Sequence, residues 1–77
     1  MLSIKLGKYR HYRTKKIYAL LGMALHSETH EEMIIYQALY DCETFGNQRV
    51  WVRPAKMFFE TIQENNLNVP RFEYVPE

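Results

Sequence analysis

Ile17-Tyr18-Ala19-Leu20-Leu21-Gly22-Met23-Ala24-Leu25-His26 and, after a polar connection, Glu32-Met33-Ile34-Ile35-Tyr36-Gln37-Ala38-Leu39-Tyr40 carry the architecture of this chain. The first run is too rich in Tyr, Leu and small residues on both faces for a surface helix. Gly22 in its middle marks a bulge or sharp bend, as barrel strands require. The second run alternates, with Ile34, Tyr36, Ala38 and Tyr40 on one face and Met33, Ile35, Gln37 and Leu39 on the other. Both faces are largely apolar. In a small barrel one such face fills the interior while the other is covered by a helix, a loop or a partner.

Working outward, residues 7–12 read as a first strand preceded by a permissive Gly7, and residues 13–16 as a polar turn. Residues 27–31 connect the two central strands, and residues 41–47, with Gly46-Asn47, form a loop. Residues 48–53 are a fourth strand in which Val50 and Val52 alternate with Arg49, Trp51 and Arg53. Pro54 then fits the first turn of a helix, because its missing N–H is not needed there. Met57, Phe58, Phe59 and Ile62 give that helix an apolar face, and Asn65-Asn66 end it after about three turns. Residues 69–75 alternate again, and Pro70 confines them to a sheet edge or a strand start. The expectation is a mainly β fold: a small, SH3-like, strongly bent antiparallel barrel, partly open, with one short helix before the last strand. No repeat or linker divides it, so residues 1–77 are expected to form one domain.

Composition narrows the function. With 77 residues, 47% of them hydrophobic, the chain has room for one core, and a fold of this size buries only about 60% of its unfolded surface. Few large side chains are spare for a deep pocket. The single cysteine, Cys42, excludes an internal disulfide and fits a reducing cytoplasm. Its neighbours Asp41 and Glu43 are expected to raise its pKa and keep it a poor nucleophile. No run approaches the roughly 20 apolar residues of a membrane span. The net charge of +1 argues against a protein built wholly to grip phosphate backbones. Its distribution is uneven: Lys5, Lys8, Arg10, Arg13, Lys15 and Lys16 precede Leu25 with no acid among them, and residues 26–48 hold Glu28, Glu31, Glu32, Asp41 and Glu43 with no Lys or Arg. Cross-strand pairing of neighbours is the simpler use of that asymmetry.

Three segments resemble a known family: Gly7-x-Tyr9-Arg10-His11-Tyr12; Leu21-Gly22-x-Ala24-x-His26-Ser27-Glu28-Thr29 running on to Tyr36-x-x-Leu39-Tyr40; and Trp51-Val52-Arg53-Pro54-x-x-Met57-Phe58 followed by Pro70-Arg71-Phe72. Together they are similar to the small bacterial domain-of-unknown-function family numbered sixteen fifty-three, from about Gly7 to Val75. The resemblance implies an SH3-like barrel of bacterial or phage origin. It carries over no activity and no catalytic residue. Two positions depart from the family pattern, Arg13-Thr14 where a Lys-Gly turn is usual and Leu25 where a basic residue usually precedes His26. The second departure weakens an anion-binding reading of the His26 spot.

Several side chains invite chemistry. His26, Glu28 and His30 alternate and would share a strand face, a zinc-like spacing. Ligands two apart on a strand are about 6.5–7 Å apart at Cα, however, and the segment turns before His30, so no metal or cofactor is expected. Ser27, beside His26 and Glu28, and Thr29 are better read as turn caps, with Glu31 or Glu32 reaching back, than as a catalytic set. The leading expectation is a non-catalytic binding module. It would recognise a peptide, a protein or single-stranded nucleic acid through an aromatic and basic surface of Tyr9, His11, Tyr12, Trp51, Arg53 and Arg71, with His26 and Glu28 as further candidates. The bland reading places the tyrosines in the core and pairs Arg53 and Arg71 with Glu28, Glu60 or Glu73. Core is favoured for Tyr18, Tyr36 and Tyr40, while Trp51 stays open. The alternative function is a small-ligand site or minor hydrolytic activity, which requires His11, His26, Glu28 and Arg53 to converge. A homodimer is one way to cover the second apolar face.

Overall fold

The computed structural model describes residues 5–76, so the domain limits drawn at residues 1 and 77 lie outside the described residues. Five strands form the main antiparallel sheet: β1 (Gly7–His11), β2 (Ile17–Leu25), β3 (Glu32–Ala38), β6 (Val50–Pro54) and β9 (Phe72–Val75). Their order is β6-β3-β2-β1-β9. A two-stranded ribbon, β4 (Asp41–Cys42) with β5 (Gly46–Asn47), rises between β3 and β6, and α1 (Ala55–Phe58) leads into the hairpin β7 (Thr61–Glu64) and β8 (Leu67–Pro70). The sheet bends until its two edges face one another without pairing. Arg53 of β6 accordingly reaches the ring of Phe72 on β9, with Cζ 5.6 Å from the centroid. This is the bent, mainly β, partly open barrel that the central strands imply.

Register explains what fills it. Tyr9 lies opposite Tyr18 and Tyr74, Leu20 opposite Tyr36, and Tyr36 opposite Trp51, and facing residues of an antiparallel pair project to the same side. The concave side therefore collects Tyr9, Leu20, Ile34, Tyr36 and Phe72, joined by Ala55 and Phe58 of α1. Phe58 and Phe72 stack with centroids 4.2 Å apart, and Tyr9 and Tyr36 meet Phe58 edge to face. The bulge expected at Gly22 is present, because the β2–β3 register shifts between Leu20 and Gly22. Gly7 is needed for its backbone: its φ is +137°, and a Cβ there would sit 3.2 Å from Cε1 of Tyr74. Gly7→Ala is expected to lower stability by about 1–3 kcal/mol, read as a shift in urea midpoint. An unchanged midpoint would contradict the strain argument.

The helix differs most from expectation. It spans Ala55–Phe58, one turn rather than three, and Pro54 closes β6 as its N-cap instead of entering the first turn. Residues 61–70 are a β-hairpin in which Ile62 faces Val69. Asn65 and Asn66 do adopt left-handed conformations, φ +52° and +64°, but as the two central residues of a tight hairpin turn rather than as a helix end. β-branched Thr61, Ile62 and Val69 suit the pleated form and supply cross-strand contacts that a helix would not. Nor does α1 cover the outer face of the sheet, since Ala55 and Phe58 belong to the concave core. On the convex side Leu21, Val50 and Val52 remain 49%, 49% and 59% exposed. The alternation in β6 is real, with its apolar partners outward and Trp51 and Arg53 inward.

Candidate functional site

The expected surface divides into four places. Tyr9 is a core ring, 5% exposed, with its hydroxyl donating to the Lys5 carbonyl (2.6 Å); it presents no face to a ligand. Tyr12 stacks on His11 at 5.1 Å and opens onto a hollow beside β1 and the β7–β8 hairpin, together with Arg10, Lys15 and Glu73. Arg71 is held by Glu60, with Nη2 2.5 Å from Oε1. Trp51 and Arg53 line a separate cleft.

His26 and Glu28 sit in the turn joining β2 to β3, whereas His11 precedes the turn joining β1 to β2, at the opposite end of β2. His11, His26, Glu28 and Arg53 therefore do not converge. Both histidines serve the same local purpose. His26 Nδ1 accepts from the backbone N–H of Glu28 (3.2 Å) and Thr29 (3.3 Å), and Thr29 Oγ1 accepts from Glu31 N–H (3.2 Å). His11 Nδ1 accepts from Arg13 (3.2 Å) and Thr14 (3.4 Å), and Thr14 Oγ1 from Lys16 (3.3 Å). The residue after each threonine, Lys15 or His30, has positive φ, +64° or +61°. A His-x-x-Thr turn thus occurs twice, although the sequence was read as free of repeats. The recurrence of His-x-x-Thr fifteen residues apart (11–14 and 26–29) was its signal. Thr29 caps as expected, and the His26, Glu28 and His30 trio is a turn, not one strand face.

His11 is held below its ordinary pKa by burial first, then by the charges of Arg53, Arg71 and Arg13. A histidine depressed on folding takes up its proton in the unfolded chain first, so stability rises with pH between its folded value and the ordinary 6.5 and falls on acidification through that window. His11→Asn, which keeps an acceptor for the turn, is expected to flatten that part of the curve in urea unfolding between pH 8 and pH 5. An unaltered slope would refute the assignment.

The Trp51 cleft is about 400 Å³ in volume, within the roughly 300–1,000 Å³ of ligand pockets. Its concave wall is Tyr18, Tyr36, Trp51 and Arg53, and the β4–β5 ribbon closes it from outside with Asp41, Cys42 and Phe45. Phe45 meets Trp51 edge to face at 5.2 Å, and the Tyr18 and Tyr40 hydroxyls are hydrogen-bonded at 2.5 Å. Burial and this bond push the Tyr18 phenol well up, so it stays neutral. Lys16 lies over the Tyr40 ring, Nζ 4.4 Å from the centroid. Trp51 is half-buried: one side packs on the core and the rest opens into the cleft. Tyr18, Tyr40 and Phe45 are cleft residues that sequence reasoning missed. The tyrosines carried the signature of core strands, and only the fold of the ribbon brings Phe45 over Trp51. Cys42 also corrects an expectation. Backbone N–H groups of Phe45 and Thr44 hold its thiol below the ordinary value, outweighing desolvation, and the flanking carboxylates do not raise it as expected.

Bent sheet and aromatic cleft together define a small, mainly β domain with a lateral cleft at its open seam. The chain belongs to the family described as "Protein of unknown function (DUF1653)", whose profile matches residues 7–74. It is similar to the crystal structure of a DUF1653 protein from Bordetella bronchiseptica, at 32% identity and a TM-score of 0.81, covering 97% of this chain and 96% of that one. No curated protein matches it. Among the described residues, no helix is long and apolar enough to cross a membrane.

Proposed function

We propose that the protein is a non-catalytic binding module that recognises an extended ligand, a peptide, a protein segment or single-stranded nucleic acid, in the cleft containing Trp51 and Arg53. The observation that carries this reading is the half-buried Trp51, held in a cleft of ligand size with Phe45 across it. Trp51 offers aromatic surface beside a cation within that cleft. The single thiol fits work in a reducing cytoplasm. A hydrolytic reading needs the histidines, Glu28 and Arg53 in one place, and the two turns hold them apart.

Trp51 is the sole tryptophan, so its emission reports the cleft directly. Titration with single-stranded oligonucleotides and with peptides of varied charge is expected to quench or shift that emission for one class, with a matching rise in melting temperature. A ligand that raises the melting temperature while leaving Trp51 unperturbed would move the site elsewhere and sink the proposal.

A further inference from the structure

Arg53 differs from the other arginines. Arg10 pairs with Glu73 (2.6 Å), and Arg71 pairs with Glu60 (2.5 Å) although its buried Nε has no partner among the described residues. Arg49 Nε donates to the Phe45 carbonyl (2.8 Å), and Arg13 donates to the Tyr12 hydroxyl (3.1 Å). The Arg53 guanidinium, on a half-buried residue, lies over the Phe72 ring and makes no hydrogen bond or ion pair among the described residues. A guanidinium presents five N–H donors, and a ring face satisfies charge but accepts little. Its donors are left for water or a ligand.

The surroundings favour an anion. Among the lining residues two cations, Arg53 and Lys16, outnumber the one acid, Asp41. Lys16 stands at the mouth, and Asp41 is the acid of the lining. Beside this cationic end stand rings that do not stack on one another. Tyr18 meets Tyr40 at 84° and Phe45 meets Trp51 at 79°, edge-to-face contacts rather than parallel stacks, and Lys16 lies over one face of Tyr40.

We propose that the cleft binds single-stranded nucleic acid, with Arg53 anchoring one phosphate through its forked donors while Trp51 receives the adjoining base. The proposal rests on the reading of the cleft as the ligand site. A carboxylate would satisfy Arg53 equally well. A run of acidic side chains brings no ring to the aromatic faces, however, whereas every base has one. A net charge of +1 makes the contact local, so affinity is expected to depend on salt with the shallow slope of one or two phosphates.

The test is fluorescence anisotropy of labelled hexauridylate and hexathymidylate with the full chain and with Arg53→Gln, Arg53→Lys and Lys56→Gln, each checked for folding by thermal melting. Lys56 removes an equal charge away from the cleft. Arg53→Gln is expected to weaken binding by about tenfold or more and to lower the slope of log affinity against log salt by about 0.7. Arg53→Lys should fall between, keeping charge without the fork, and Lys56→Gln should match the parent chain. Equal losses for Arg53→Gln and Lys56→Gln would overturn the anchoring role. A hexaglutamate peptide that binds with the same Arg53 dependence while the oligonucleotides do not would overturn the nucleic-acid assignment and leave the binding-module reading standing. If neither probe binds or alters Trp51 emission, that reading falls and takes this inference with it.

Discussion

Phe58→Ala is expected to lower stability by about 3–5 kcal/mol, the usual cost of emptying a fully buried aromatic site. Phe58 is 0% exposed and joins the helix turn to both ends of the sheet: it stacks on Phe72 of β9 and meets Tyr36 of β3 and Tyr9 of β1 edge to face. Its removal leaves a cavity ringed by rigid aromatics, which cannot collapse into the space as flexible aliphatic chains do. For a domain of this size, each 1 kcal/mol moves the melting temperature by roughly 4–8 °C. The variant should therefore melt at least about 12 °C below the parent or fail to fold at 25 °C, as followed by circular dichroism in urea and on heating. Phe59→Ala, at a half-buried neighbour, is the comparison and should cost clearly less. Equal losses would show that the ring stack is not the centre of the core.

Trp51→Ala is expected to separate binding from stability. Loss of one stacking ring in a single-strand groove costs about 1–3 kcal/mol of affinity, roughly five- to 150-fold. Trp51 is only partly buried and lines the cleft, whereas Phe58 is fully buried, so the folding cost should stay below that of Phe58→Ala. Binding is then followed on the ligand by anisotropy, because the intrinsic reporter is gone. A Trp51→Ala chain that retains full affinity for a ligand bound by the parent would remove the cleft from consideration. A chain that unfolds outright would assign Trp51 to the core instead.

The strands were legible because their signal is local. Period-two alternation in residues 32–40 and a glycine at the bulge are written in consecutive residues. The expected strand over residues 69–75 is instead split, Pro70 closing β8 and β9 beginning at Phe72. The hairpin at residues 61–70 was not legible, because Phe58, Phe59 and Ile62 satisfy a helical spacing and a strand pattern alike over so short a run. The cross-strand partner Val69, not the local sequence, settles it. The outward side of β6 was equally undetermined. A pattern of Val, Trp, Val, Arg states that two faces differ, and the register with Ile34 and Tyr36 states which one is inside.

The sequence by itself determined a mainly β, bent antiparallel sheet, the bulge at Gly22, the left-handed conformation of Asn65-Asn66 and the candidacy of Trp51 and Arg53. Tertiary structure alone decided that Tyr9 is a core ring and Arg71 the ion-pair partner of Glu60, that His11 and His26 are turn caps at opposite ends of β2, and that Phe45, Tyr18 and Tyr40 complete a cleft around Trp51. The reason is physical. Strand identity follows from neighbours one or two residues away, but a site gathers side chains from β2, β3, the β4–β5 ribbon and β6, and their meeting depends on register and bend, which no single segment encodes.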